Sequence, residues 1–287
     1  MSGRLHEGGS HESAHLHVTG RAQYVADDAG PRGTLFVLPV TSSVAHDTLK
    51  GIDTQAAANA EGVQCVLTVK DIAGDNIWGP IMHTEPLLAE SSILCVGQVV
   101  ALVVAETEAQ ALSASKLVEV HIDPLPPVIG VKAGIEAGHI LYGPHLIERG
   151  DVDAAFAQAA LIVESEVGSP GQDHFYLETQ AAMVIPEEDG TYLVHSSTQH
   201  PTEIQKVVAA TLGISESRVV CKVPRLGGGF GGKESQASPF AAYAALAASV
   251  TNRPCKSWLH RHQDMSLTGN RHPFWSRYKP TSFLSAS

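Results

Sequence analysis

The chain has 287 residues, of which 44% are hydrophobic and 17% charged, a balance that excludes a disordered or low-complexity protein and suits one large domain or two ordinary ones. Nineteen Lys and Arg against thirty Asp and Glu leave a formal net charge of -11, which repels phosphates and argues against a nucleic-acid or anionic-membrane partner. The four cysteines, Cys65, Cys95, Cys221 and Cys255, lie far apart with no C-x-x-C pair, which suits neither a zinc site nor a disulfide framework and fits a reducing compartment. No apolar run reaches the roughly 18 residues of a membrane span, and the polar N-terminus lacks a signal-peptide core. The expectation is a soluble cytoplasmic protein.

In chain order, residues 1–15 are Gly, Ser, Glu and His without periodicity and read as a tail; its histidines His6, His11 and His15, with His17 just beyond, have no regular element to fix a metal geometry. From Gly33 the pattern predicts a strand (GTLFVLPV), a helical stretch around DTQAAANAEG and a second strand (VQCVLTV). GQVVALVVA reads as a strand buried on both faces, ETEAQALSASK as a helix, and LVEVHI as a half-exposed strand that Pro124, Pro126 and Pro127 terminate. A domain boundary is expected near residue 126.

Beyond it, VIGVKAGIEAGHILYGPHLIERG predicts a loop, DVDAAFAQA a short helix capped by Asp151, and LIVESEVG a strand. AAMVI and TYLVHS flank an Asp189-Gly190 turn as a hairpin. HPTEIQKVVAATLGI has Pro201 in its first turn and Ile204, Val207, Val208 and Leu212 on one face, an amphipathic helix. RVVCKV predicts a strand, RLGGGFGGKES a glycine-rich loop and PFAAYAALAASV a helix of small residues. Cys221 reads as a buried strand residue with no basic partner to activate it.

The loop carries five glycines between residues 227 and 232, each adding chain entropy that folding removes. Such a loop between strand and helix brings bare backbone amides close to an anionic or oxo ligand. Gly227, Gly229 and Gly232 fit G-x-G-x-x-G, yet the acid expected roughly 20 residues on to hold a ribose is absent, because Asn252 stands there and the next acid is Asp264. Gly227-x4-Gly232-Lys233 approaches a P-loop, but Glu234 occupies the place of the magnesium-binding Ser or Thr and would repel phosphates. A plain structural turn is the remaining reading of the loop by itself.

Three blocks together say more: GQDHFYLETQAA (171–182), HSSTQHPTEIQ (195–205) and the glycine loop. In this order and spacing they closely resemble the molybdopterin-binding large subunit of the xanthine dehydrogenase family. DMSLTGNRHPFWSRYK (264–279) resembles the next block of that family, and TGRAQYVADD (19–28) and VGQVVALVVAET (96–107) resemble the α/β-hammerhead domain before it. The resemblance implies an α+β fold: a hammerhead domain over 16–126, then the first, incomplete part of a molybdopterin-binding domain over 127–279, with 280–287 an unrelated tail. It implies a molybdenum–molybdopterin cofactor and hydroxylation of hypoxanthine or xanthine with water-derived oxygen and hydride transfer to a molybdenum-sulfido centre, in purine catabolism. The cofactor carries the hard chemistry, and protein groups orient it and stabilise charge.

Residue by residue, the resemblance places the side-chain amide of Gln199 against an apical oxo group. It brings Gly229 and the backbone amides of Phe230 and Gly231 to the same region, with the Phe230 ring lining a substrate slot. Glu234, alone a favourable partner for a helix dipole, occupies the place where purine-oxidising members carry a glutamate on the purine ring and aldehyde-oxidising relatives an uncharged residue. His174, Glu178 and Gln180 belong to a motif lying near the cofactor pocket and read as supporting residues. His260 and His262 depart from the Arg-Asp pattern of relatives. The general-base glutamate, a second substrate-clamping arginine and most pterin contacts are expected beyond this stretch of chain, which is therefore expected to bind cofactor poorly and to be inactive alone. A 2Fe-2S cluster and FAD are expected on a small partner subunit, in a hetero-oligomer when full length. The alternatives are a subunit for aldehydes or another heterocycle, and a non-catalytic remnant that keeps a subunit-docking surface.

Overall fold

A computed structural model describes residues 11–282. The fold is mixed helix and strand, in two compact units: residues up to Pro124 with Phe175–Thr268, and Leu125–His174 with the residues from Gly269. Near the boundary expected at residue 126 the chain leaves the larger unit, and it returns at Phe175, so neither unit is a single continuous stretch.

The larger unit is built on seven strands: β1 (Leu35–Thr41), β2 (Val63–Leu67), β3 (Val99–Ala105), β4 (Ala181–Pro186), β5 (Tyr192–Ser196), β6 (Val219–Lys222) and β7 (Cys255–Trp258). Their order across the sheet is β6-β5-β4-β7-β1-β3-β2. The parallel pair β1/β7 joins the early strands to the late ones, with Leu35 opposite Cys255. β3 is buried at every residue and shows why its sequence is an unbroken apolar run: Val99, Leu102 and Val104 enter one core while Val100, Val103 and Ala105 enter the other.

On the first core pack two helices, α1 (Pro201–Leu212) and α2 (Ala237–Thr251). α1 starts at Pro201, ends on Gly213 in the left-handed region, and buries Ile204, Val207, Val208 and Leu212, as its periodicity predicts. α2 is buried from Ala237 to Ala248, and its alanines leave no side chain to hold neighbours away. The second core is closed by a helix, Glu108–Ser115, capped by the Thr107 side chain, and by a three-stranded sheet whose centre is Asp47–Asp53 between Ser92–Ile93 and Glu119–Pro124. The sequence reading has no strand at Asp47–Asp53, because its register slips between Leu49 and Gly51 and its apolar residues do not alternate cleanly. The predicted β4–β5 hairpin forms, with Gly190 at φ 78° and the Asp189 carboxylate accepting from Thr191.

In the smaller unit, Asp151 caps the helix Val152–Ala157 by accepting from the Ala154 amide. Two expectations change there. The predicted loop after residue 127 contains a helix, Val131–Glu136. The single strand LIVESEVG is two, Leu161–Ile162 pairing with Thr281–Ser282 and Ser165–Ser169 pairing with Phe274–Tyr278. Of the expected unrelated tail, Thr281–Ser282 forms that short strand, and residues 283–287 lie outside the described residues. Of the expected N-terminal tail, 1–10 lie outside the described residues, and Ala14–Val18 forms a short helix.

Candidate functional site

The glycine-rich loop leaves β6 and runs to α2, with the segment 175–180 and the end of β5 beside it. Ser196, Ser197 and Thr198 are buried where β5 ends, and Gln199, one residue on, is exposed. Gln199 Oε1 accepts from the Gly231 amide at 3.0 Å and from the Lys233 amide at 3.3 Å. Only the oxygen of a carboxamide can accept two N–H groups, so the loop fixes which end of the Gln199 side chain is the NH2. The Gln199 amide N–H in turn donates to the Lys233 carbonyl at 3.0 Å.

The glycines are there for proximity. A Cβ on Gly229 would lie 2.4 Å from Gln199 Oε1, and one on Gly227 would lie 2.4 Å from the Glu178 Cβ. Phe230, 74% exposed as a residue, stands at φ 54°, a left-handed conformation unusual for a phenylalanine, with its ring edge near Gly228.

Beneath the loop, Glu178 Oε2 accepts from the Gly227 amide at 2.7 Å and from the Ser197 hydroxyl at 2.7 Å, and lies 3.5 Å from Lys233 Nζ. Lys233 is fully buried. Burial pulls its pKa down to about 8, opposed by the charge of Glu178. A second buried network lies alongside: Asp264, on the helix Arg261–Leu267, accepts from the Tyr176 hydroxyl at 2.8 Å and from the Gln180 amide at 2.6 Å. Gln180 Nε2 donates to the Gly232 carbonyl at 3.2 Å. Burial, and then the Asp264 charge, hold the Tyr176 phenol well above the usual tyrosine range. Arg261 donates to the Tyr176 and Leu177 carbonyls, tying its own helix to this segment.

The structure therefore brings Gln199, Gly229, Phe230 and Gly231 together on one loop face. Glu178 and Gln180 sit beneath it as supporting groups, both buried. The Gly231 amide, read from sequence as ligand-facing, is donated to Gln199 instead. Glu234 is exposed, has no ion-pair partner among the described residues, and stands two residues before Gln236, the N-cap of α2. His174 belongs to the smaller unit. Cys221 is a half-buried β6 residue whose thiol burial pushes up to about 12, in keeping with an unreactive side chain. His260 meets Glu108 through Nε2, and its ring stacks on that of His262. Lys233, Ser197, Tyr176 and Asp264 are the residues that sequence reasoning passes over.

Chemically, the Gln199 and Phe230 face of the loop offers donors, and the exposed carboxylate of Glu234 follows three residues after Gly231. The Gln199 NH2 and the Phe230 N–H have no partner among the described residues, while the Glu178 oxygen that holds the loop is turned inward. Outward donors on a surface kept clear by glycine suit a group bearing an oxo or anionic oxygen.

A family model for a molybdopterin cofactor-binding domain matches residues 136–281, and one for the a/b hammerhead domain of aldehyde oxidase and xanthine dehydrogenase matches residues 19–126. The chain is 40% identical over 269 residues to a xanthine dehydrogenase of Dictyostelium discoideum and 41% identical over 271 residues to aldehyde oxidase 2 of Rattus norvegicus, in each case over 94% of this chain and 20% of the relative. It spans about a fifth of the length of the curated relatives it matches. The aldehyde oxidoreductase of Desulfovibrio gigas superposes with a TM-score of 0.85 at 27% identity, over 95% of this chain and 32% of that one. Among the described residues no helix is long and apolar enough to cross a membrane.

Proposed function

The chain belongs to the aldehyde oxidase and xanthine dehydrogenase family of molybdopterin-binding oxidoreductases, and from that premise we propose that it supplies one wall of the active site of a molybdenum hydroxylase for hypoxanthine and xanthine. In this reading residues 16–126 are the hammerhead domain and 127–279 the first part of the molybdopterin-binding domain. When bound, molybdenum–molybdopterin supplies the oxygen transfer and two-electron oxidation. The general base lies outside this stretch, and a small partner subunit carries the 2Fe-2S cluster and FAD, in a cytoplasmic hetero-oligomer serving purine catabolism.

The roles left to this chain are orientation and charge. Gln199, whose oxygen is anchored to the loop, would use its NH2, and Phe230 its backbone N–H, to donate to an anionic or oxo oxygen of the bound cofactor. Gly231 acts through Gln199, and Gly229 leaves the space in which that side chain lies. The exposed Phe230 ring gives a flat purine an apolar surface to lie against. Glu234 carries the substrate assignment: an exposed carboxyl with no ion-pair partner among the described residues, three positions along the loop from Gly231, is available to accept from a purine N–H.

The test is to purify the protein together with its partner chains from a molybdopterin-producing host, assay molybdenum, and compare xanthine and benzaldehyde as reductants of an artificial electron acceptor. Urate formation with bound molybdenum is expected, and Glu234→Val is expected to lower kcat/KM for xanthine by about 10²–10³ while sparing benzaldehyde. Turnover of benzaldehyde alone gives the aldehyde reading, which the rat relative favours equally by identity. A stable complex without molybdenum gives the non-catalytic docking reading.

A further inference from the structure

Lys233 has no contact with solvent, although it stands between the buried Gly232 and the exposed Glu234 on a loop. A buried ammonium is tolerated only when its donors are met. Here Nζ donates to Ser197 Oγ at 2.5 Å and to the Thr179 carbonyl at 3.4 Å, faces Glu178 Oε2 at 3.5 Å, and sits 4.5 Å from the centre of the Tyr176 ring. Ser197 donates its own hydroxyl proton to the same Glu178 oxygen.

That oxygen also accepts from the Gly227 amide, and Glu178 N–H donates to the Gly227 carbonyl at 3.1 Å. The glycine-rich loop thus has its first residue on the Glu178 backbone and carboxylate and its last residue's side chain on that carboxylate. Between them lie four glycines and Phe230, the stretch of chain with most freedom to lose. Fastening both ends to one group is the arrangement that limits the loop without filling its outward face.

The backbone of Lys233 carries the consequence to the ligand side. Its carbonyl accepts from the Gln199 amide and from the Thr198 hydroxyl, each at 3.0 Å, and its own amide donates to Gln199 Oε1. Where the Lys233 side chain is held, the backbone that seats Gln199 is held.

We propose that Lys233 and Glu178 are positioning residues: their buried pair closes the glycine-rich loop at both ends and sets the orientation of Gln199 and Phe230 before any cofactor binds. The assignment of Gln199 as the ligand-facing group rests on the function proposed above; the ordering of the loop does not. The decisive measurement is therefore made without cofactor, so that its failure leaves the functional reading standing.

Hydrogen exchange is followed at single-amide resolution in the 287-residue chain and in Lys233→Met. Exchange of the Gly227 and Gly231 amides is expected to rise about tenfold or more, while amides of Ala237–Thr251 keep their protection. Unchanged loop exchange overturns the proposal, and so does a uniform rise throughout the unit, which would mark the pair as a contributor to global stability alone. Should Lys233→Met fail to fold, the double variant Lys233→Met/Glu178→Met removes both charges. It is expected to fold with the loop still unprotected, and native loop protection in it overturns the proposal. In the assembled enzyme the double variant is expected to retain about tenfold less molybdenum; wild-type retention with a disordered loop would overturn the link from loop order to ligand seating.

Discussion

Gly229 and Gln199 share a space that holds only one side chain: a methyl group on Gly229 would stand 2.4 Å from Gln199 Oε1 and 2.7 Å from its Cδ. The obstructed atoms are the far end of a flexible side chain, so Gly229→Ala is expected to fold normally and to displace Gln199 from the Gly231 and Lys233 amides. Gly227 meets the Cβ of the buried Glu178 at the same distance, and that atom is fixed by its backbone. Gly227→Ala is therefore expected to lose about 1–3 kcal/mol, an overpacking penalty, and Gly229→Ala well under that. Urea unfolding of the two variants checks the order, and a larger loss for Gly229→Ala would show that Gln199 cannot move aside.

The elements that could be read from sequence are those whose period is set by one neighbouring surface. The amphipathic Pro201–Leu212 helix, the doubly buried Val99–Ala105 strand and the Asp189-Gly190 hairpin each announce their environment locally. The parallel pairing of Leu35–Thr41 with Cys255–Trp258 does not, because a strand's alternation says which face is buried and never which distant strand lies beside it. The same limit explains the discontinuous units. At the site, Gln199, Phe230 and Glu234 were reached through resemblance of whole motifs, since a glutamine before a proline or a glutamate near a helix has many ordinary roles. Lys233 enters the sequence reading only as the lysine of an incomplete P-loop pattern, which says nothing of burial. Its burial follows from the placement of Glu178 and Ser197, 55 and 36 residues earlier, counted along the chain.

Asp264 supports the loop from below, and its removal is expected to be severe. At 1% exposure it is the acceptor for two buried donors, the Tyr176 hydroxyl and the Gln180 amide. Asp264→Ala leaves both donors without that acceptor, and a loss of about 2–5 kcal/mol is expected. Asp264→Asn keeps one acceptor oxygen and is expected to lose less than Asp264→Ala. Denaturant midpoints with unchanged m-values would confirm the order. A loss below about 1 kcal/mol for Asp264→Ala would mean that water takes over both bonds.

The pH dependence of stability tests the burial of Lys233 directly. Its pKa is about 8 in the folded chain against 10.5 for the ordinary lysine, because desolvation of the ammonium outweighs first the attraction of Glu178 and then that of Asp264, while the nearby Arg261 charge lowers it further. Between those two values the unfolded chain binds more protons at this position than the folded chain, so the contribution of Lys233 to stability rises with pH across that window. Below about pH 8 the ammonium is present in both states, and its burial penalty is carried in full. The difference in urea midpoint between wild type and Lys233→Met/Glu178→Met removes the titrations common to both proteins. That difference is expected to move in favour of wild type from pH 7.5 to pH 10. A flat profile would place the Lys233 pKa in the ordinary lysine range and show that Glu178 and Ser197 compensate its burial completely.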